Sequence, residues 1–461
     1  MKLITKITAV HIVLLLFSLN TRILSQDAHY WNIQYGTRST LLGGAVIGSV
    51  SDLSAAYYNP GAVALFQDPK FILSAKVYER NAYTVKNGAG EGKDLKFSQV
   101  TPSPNFAAFS IKFGFLGEDQ LAVSILTRQR MEFEFTTRVI ETRDFFENKP
   151  GEEEFAGGLT VKKEFSDVWA GITYSTKFSP VIGFGGTLFF SYRDQIFNNQ
   201  TVIQVLNADQ SISSYSNFDN FSFSYLSALM KFGIGFNFRP LTFGLTLTTP
   251  NMGIGGTGTN GYHLFLAGVD LDDDGIDDNR FESNYQDEID AQYKTPLSIG
   301  AGAAYRMGDF KFHISTEWFN KIDEYLVLDV QDFRAQNSND IISVKLYDKV
   351  GSVTNYGVGI DYFASEDLII SGSYVTDFSA AVPGDAGYLS SSTWDIHHFS
   401  AGTSFTVGKT EVTLGLAYSY ASDKITQVVD LEGDNNSNPV DVRNTSTVEL
   451  NRIKLLFGFN L

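Results

Sequence analysis

From Thr447 to Leu461 the sequence alternates with a period of two. Thr447, Glu449, Asn451, Ile453, Leu455, Phe457, Phe459 and Leu461 fall on one side, and Val448, Leu450, Arg452, Lys454, Leu456, Gly458 and Asn460 on the other. Successive side chains of a strand face opposite ways, so this segment presents an apolar, aromatic row on one face and a smaller, more polar row on the other. That suits a wall strand with lipid outside and a wet interior inside. The sequence stops within this strand, which is expected to close a barrel. Closure is what lets β structure satisfy its backbone hydrogen bonds within a membrane.

The other end of the chain points out of the cytoplasm. Lys2 and Lys6 precede an apolar run from Ile7 to Leu19, and Ser25 supplies a small residue before Gln26, so residues 1–25 are expected to be a secretory signal peptide. No later stretch reaches the roughly 20 apolar residues of a spanning helix, which excludes a helical inner-membrane protein. With no cysteine there is neither a disulfide framework nor a lipid-bearing cysteine at the mature N-terminus. A net charge of -17 excludes nucleic acid as a partner, because a polyanion needs a basic surface.

Strand-like runs recur at 71–80, 95–113, 120–140, 159–177, 181–205, 220–238 and 241–249. They continue at 287–306, 309–319, 341–363, 368–375, 395–406, 410–420 and 445–461, giving about fourteen. Every second connection is a tight turn (116–119, 178–180, 238–240, 307–309, 365–367, 407–409), and the others are long and polar. This asymmetry is that of a Gram-negative outer-membrane barrel, all-β, antiparallel and surrounded by lipid and lipopolysaccharide. Residues 70–461 are expected to form it.

Within strands the rows separate. Ile182, Phe184, Leu188, Phe190 and Tyr192 oppose Gly183, Gly185, Thr187, Ser191 and Arg193; Phe310, Phe312, Ile314 and Trp318 oppose Lys311, His313, Ser315 and Glu317. In the third strand Leu121, Val123, Ile125, Thr127, Gln129, Met131, Phe133 and Phe135 form the row expected to face lipid. Ala122, Ser124, Leu126, Arg128, Arg130, Glu132, Glu134, Thr136 and Arg138 form the row expected to face the lumen, with the charges paired there. The polar stretch Thr127–Gln129 interrupts the greasy row. Gln129 marks either a kink that opens the wall or the height at which the strand leaves the bilayer.

Residues 26–69 precede the first strand, enough for a plug inside the barrel. They carry Gly36, Arg38, Gly43, Gly44 and Ala45, and then Asp52 and Asn59-Pro60-Gly61. This segment resembles the N-terminal hatch of the FadL family of outer-membrane transporters for long-chain fatty acids and hydrocarbons, with Arg38, Gly44, Ala45, Asp52, Asn59 and Pro60 at the matching positions. The family usually has Ala after Asn-Pro, where this chain has Gly61. The resemblance implies capture of a hydrophobic, fatty-acid-like ligand by outer loops three and four, passage to a pocket beside the hatch, and lateral release through a gap at a kink in strand three. Those loops would be 198–219 and 250–286, with Tyr262, Leu264, Phe265 and Leu266 as capture surface or as rim packing. Asn59-Pro60 also reads simply as a turn from plug to wall, since proline fixes φ and biases the residue before it away from helix.

The fourth loop holds the one calcium-like pattern. Asp270, Asp272, Asp274 and Asp278 stand at alternating oxygen-ligand positions, with Ile276 offering its carbonyl; Phe281 occupies the position of the closing Glu. It reads equally as a structural Ca²⁺ loop or a solvated acidic tip. No cofactor is otherwise required, and neither a nucleophile elbow nor a histidine cluster points to an enzyme. A second functional class remains, a PorV-like barrel that docks surface proteins of a secretion complex, for which the 141–158 loop with Glu152, Glu153 and Glu154 would serve.

Overall fold

The computed structural model describes residues 28–65, 71–88, 92, 94–111, 113–143, 151–270, 276–382, 393–426 and 445–461. The expected signal peptide lies outside them. The first seven strands are β1 (Phe71–Lys86), β2 (Leu95–Ile111), β3 (Gln120–Arg143), β4 (Glu153–Ser179), β5 (Ile182–Leu206), β6 (Ile212–Phe238) and β7 (Leu241–Thr248). Next come β8 (Met252–Ala267), β9 (Arg280–Asp290), β10 (Ser298–Met307), β11 (Phe310–Phe319), β12 (Ile322–Leu328), β13 (Phe333–Arg334), β14 (Ile341–Ile342) and β15 (Leu346–Val350). The chain closes with β16 (Val353–Phe363), β17 (Leu368–Asp377), β18 (Ile396–Val407), β19 (Thr410–Thr426) and β20 (Thr445–Asn460).

Fourteen of these make an antiparallel ring, β1 to β7, β10, β11 and β16 to β20. β1 pairs with β20 from Ile72↔Asn460 to Lys86↔Thr447, and β5 pairs with β6, so the ring has no free edge. In its lower half the side-chain sorting is that of a membrane wall. Ile172, Tyr174, Phe184, Phe190 and Tyr192 are exposed on the outside, while Thr173, Ser175, Thr187 and Ser191 are buried within. A charge on that outer face would cost about 2–4 kcal/mol at mid-depth. A closed ring with such an apolar belt is an outer-membrane barrel.

Higher up, the sorting inverts. On β4 the inward residues become Phe155, Leu159, Val161 and Phe165, all buried, while Lys162 and Glu164 form an ion pair on the outside. β3 to β6 hold 24 to 27 residues each, roughly 80 to 90 Å of extended chain, whereas a tilted strand crosses a bilayer with about 9–11. The surplus stands in water and is packed around an apolar core, as in a soluble β protein. Tyr325, Val327, Leu328 and Leu346 of the β12–β15 hairpin fill that core from above.

Two features depart from expectation. The stretches 198–219 and 250–286 are largely strand rather than loop: β5 and β6 continue to Leu206 and Ile212, and β8 pairs with the upper part of β6 where β7 pairs with the lower. β9 then ends the sheet, and amide side chains cover its edge. Gln336 exchanges two hydrogen bonds with the Ser283 backbone, at 2.6 and 2.9 Å, and Asn337 Oδ1 accepts from Phe281 N–H at 3.0 Å. Edge groups are thereby satisfied without a further strand.

The second departure is on β3. Its pairing with β4 shifts between Thr127 and Gln129, leaving Arg128 as an extra residue. A one-residue bulge reverses which parity faces in. Ala122, Ser124 and Leu126 face inward below it, but Gln129, Met131, Phe133 and Phe135 face inward above it. Arg130, Glu132, Glu134, Thr136 and Arg138, expected in the lumen, are instead on the outside, and Arg130 pairs there with Glu132 at 3.9 Å. Of that charged set only Arg128 is inside.

Candidate functional site

The N-terminal segment lies inside the ring, and backbone meets backbone where it touches the wall. Glycine makes this approach possible. A Cβ on Gly48 would sit 2.2 Å from Gly302 O, and one on Gly183 would sit 2.2 Å from Gly61 O. Polar anchors complete the fit: Thr187 Oγ1 donates to Ala56 O at 2.8 Å, and Ser175 Oγ accepts from Ala64 N–H at 3.0 Å.

The six residues of the Asp…Asn-Pro pattern all belong to this seating. Asn59 Nδ2 donates to Ile47 O at 2.9 Å and to Ile234 O on β6 at 3.0 Å, while its Oδ1 accepts from Gly61 N–H at 3.1 Å. Pro60 opens the short 3-10 turn Pro60–Leu65. Asp52 Oδ2 accepts from Thr37 N–H at 3.3 Å, and its Oδ1 from Ser54 N–H at 2.9 Å. Gly44 has φ +80° against the Tyr58 ring, a conformation that favours glycine, and Ala45 is fully buried. Arg38 Nε lies 3.6 Å from Asp361 of β16, which also meets His313 Nε2 at 3.1 Å.

At the bulge, three consecutive residues of β3 bond the N-terminal segment. Thr127 O accepts from Tyr35 O–H at 2.8 Å, Arg128 NH1 donates to Tyr30 O at 2.7 Å, and Gln129 Nε2 donates to His29 O at 2.8 Å. From the opposite side Asp377 Oδ1 accepts from Tyr30 and Trp31 N–H, at 3.0 and 2.8 Å. Residues 29–31 thus form a strut across the lumen.

Beside the strut is a small, partly open cavity, with about 30 Å³ open to the centres of water-sized spheres. Aromatic rings and charges share its wall. Arg128 lies over the rings of Tyr30, Tyr57 and Trp169, and Lys231 over Tyr57. Glu317 and Asp167 supply the opposite charge: Lys231 Nζ is 3.5 Å from Glu317, and Trp31 Nε1 donates to Glu317 at 2.9 Å. The sequence reading passed over Asp167, Trp169, Lys231 and Tyr57. Asp167, Trp169 and Lys231 each stand on an inward strand row and Tyr57 in the short helix Ala55–Tyr58 of the N-terminal segment, and nothing in the sequence says that the four meet.

The wall is unzipped next to this cavity. β2 and β3 pair only from Phe106↔Leu126 to Ile111↔Leu121. Above that, among the described residues, β2 keeps β1 as its ladder partner and β3 keeps β4. The break falls where three neighbouring strands lose register: β1 between Lys76 and Tyr78 against β20, β2 at Asn105, which is skipped between Phe106 and Pro104, and β3 at Arg128. Among the described residues, Phe97 and Phe135 meet across it edge to face at 6.5 Å.

The remaining sequence candidates are dispersed. Tyr262, Leu264, Phe265 and Leu266 lie on β8; Leu264 and Leu266 are buried against Tyr215, Phe265 meets Phe281, and Tyr262 O–H donates to Glu282 at 3.2 Å. Asp272 and Asp274 fall outside the described residues, while Asp270, Ile276 and Asp278 lie within them and Asp278 N–H donates to Val269 O at 2.7 Å. Glu153 is fully buried, which removes it from any docking surface, whereas Glu152 and Glu154 are exposed. In the outer extension Asp348, enclosed by the apolar core and bonded by Tyr325 O–H at 3.1 Å, is pushed up to about 7 by burial.

No protein-family model and no curated protein matches the sequence. Solved structures do. A Pseudomonas aeruginosa FadL homologue superposes with TM-score 0.54 at 11% identity, over 95% of this chain and 99% of that one. The deltaS2S3 mutant of the TodX monoaromatic hydrocarbon channel gives 0.55 at 13%, over 93% and 99%. The Ralstonia pickettii toluene transporter TbuX gives 0.51 at 10%, over 93% and 98%. Across almost its whole length, the chain has the fold of the FadL/TodX-type outer-membrane channels.

Proposed function

We propose that this barrel carries hydrophobic small molecules, of the fatty-acid and hydrocarbon kind, across the outer membrane and releases them sideways into the bilayer. The observation that supports it is the coincidence of cavity and seam: the seam starts at Thr127–Gln129, at the outer edge of the apolar belt, and opens upward from there. Arg128 and Gln129 line the cavity, create the bulge beside the unpaired stretch of wall, and hold the strut. The apolar core of the outer extension gives a greasy molecule a route past the polar lipopolysaccharide layer, where apolar surface lowers the transfer cost. The seated N-terminal segment acts as the hatch that blocks the axial path to the periplasm.

The test pins the seam. The chain has no cysteine, so Phe97→Cys with Phe135→Cys can be joined by a short reducible bifunctional thiosulfonate. Uptake of a fluorescent fatty acid by cells should stop on cross-linking and return on reduction, with single-cysteine controls unaffected. Undiminished uptake through a pinned seam would rule out the seam as the way out of the barrel.

A further inference from the structure

Asp167 lines the cavity with one carboxylate oxygen engaged and one not. Its Oδ1 accepts from Ser191 Oγ at 2.7 Å and from Trp169 Nε1 at 3.0 Å. Its Oδ2 is enclosed and, among the described residues, has no hydrogen-bond partner, although the residue is only 1% exposed. An orphaned buried carboxylate oxygen is costly, so this position calls for a hydrogen-bond donor from whatever fills the cavity. Arg128 stands on the same wall. One of its N–H groups goes to Tyr30 O, and a guanidinium carries five, so donors remain for a ligand oxygen. The other two charges are mutually satisfied, since Glu317 accepts from Ser298 at 2.7 Å and from Trp31 at 2.9 Å and pairs with Lys231.

We infer that the cavity takes a hydrophobic molecule bearing a neutral group that both gives and accepts a hydrogen bond, a hydroxyl above all. Its O–H reaches Asp167 Oδ2 and its oxygen receives from Arg128. An ionised carboxylate offers no donor to Asp167 Oδ2 and sets a second carboxylate against it. A plain hydrocarbon offers neither bond. A water molecule at the orphaned oxygen would be replaced by the hydroxyl with little loss. The inference rests on the uptake reading above and narrows its substrate.

Octane, 1-octanol and octanoate, titrated at pH 8 into the purified full chain in amphipol and followed by tryptophan fluorescence, separate the alternatives. Octanol should bind about tenfold more tightly than octane, the worth of two modest hydrogen bonds, and more tightly than octanoate. Asp167→Asn places an amide donor where the orphaned oxygen stood, so octanoate should overtake octanol. Equal binding of all three, octanoate strongest in the wild type, or an unchanged order in the variant overturns the hydroxyl assignment and leaves the uptake reading standing. Failure of all three to bind overturns both.

Discussion

Asn59 of the N-terminal segment and Ile234 of β6 are joined by a hydrogen bond from Nδ2 to the carbonyl oxygen, 3.0 Å long. The same amide group serves Ile47 O, so one side chain ties the hatch to itself and to the wall. Asn59→Ala leaves two enclosed carbonyls without this donor, at about 1–3 kcal/mol each. The expected result is a barrel of unchanged strand content whose hatch is loosened. Higher planar-bilayer conductance and greater sensitivity of cells to large antibiotics would show it; wild-type conductance would contradict it.

Gly183→Leu should act more severely by a different route. Its Cβ would fall 2.2 Å from Gly61 O, closer than real contacts allow, and neither backbone can yield without unseating the hatch. Conductance should approach that of a chain lacking residues 28–65. A variant that conducts like wild type would mean the wall, not the hatch, gives way.

Deleting Arg128 removes the bulge and restores a single parity along β3. Gln129 then follows Thr127 directly, so Met131, Phe133 and Phe135 stay inside and Glu132 and Glu134 outside, while the wall loses its bulge and the Arg128 bond to Tyr30. The heat-modifiable folded band on a gel is expected to persist for the deletion. An alanine inserted between Gln129 and Arg130 instead exchanges Phe133 and Phe135 with Glu132 and Glu134, placing charge in the outer core, and should lose that band.

Asp348 sets a pH dependence in the outer extension. Its folded pKa, about 7, is raised above the unfolded value by burial, so the folded state binds the proton more tightly. The stability it contributes is full below about pH 4 and is lost as pH rises toward 7. Protection factors in the β12–β15 hairpin, taken after division by the intrinsic base-catalysed exchange rate, should therefore be higher at pH 5 than at pH 8, by up to about tenfold per pH unit between the unfolded and folded pKa. Asp348→Asn should abolish the difference.

The ring was legible in the sequence because each wall strand sorts its side chains: the count of fourteen holds, and twelve runs fall on single ring strands, while 287–306 joins the end of β9 to β10 and 341–363 joins β14 and β15 to β16. β3 was legible only in part. Its greasy row keeps one parity from Leu121 to Phe135, because two changes cancel: the apolar side moves from outside to inside above the bilayer, and the bulge at Arg128 moves the parity with it. On β4, which has no bulge at that height, the exchange is visible as a switch from Tyr174, Ile172 and Ala170 to Phe165, Val161 and Leu159. β8 and β9 were hidden for another reason. Gly253, Gly255, Gly256, Gly258 and Gly261 dilute the strand signal, and the paired neighbour that orders them, β6, is remote in sequence. The cavity was hidden because Asp167, Lys231 and Glu317 come from three strands that the ring alone brings together.

Seating by main chain at Gly48, Gly61 and Gly183 makes the stopper's tolerance one-sided. Where large side chains interlock, a fit can be loosened by trimming and regained by refilling; here nothing is left to trim, and every substitution adds bulk. A looser stopper is therefore reachable by single changes at these points, and a tighter one is not.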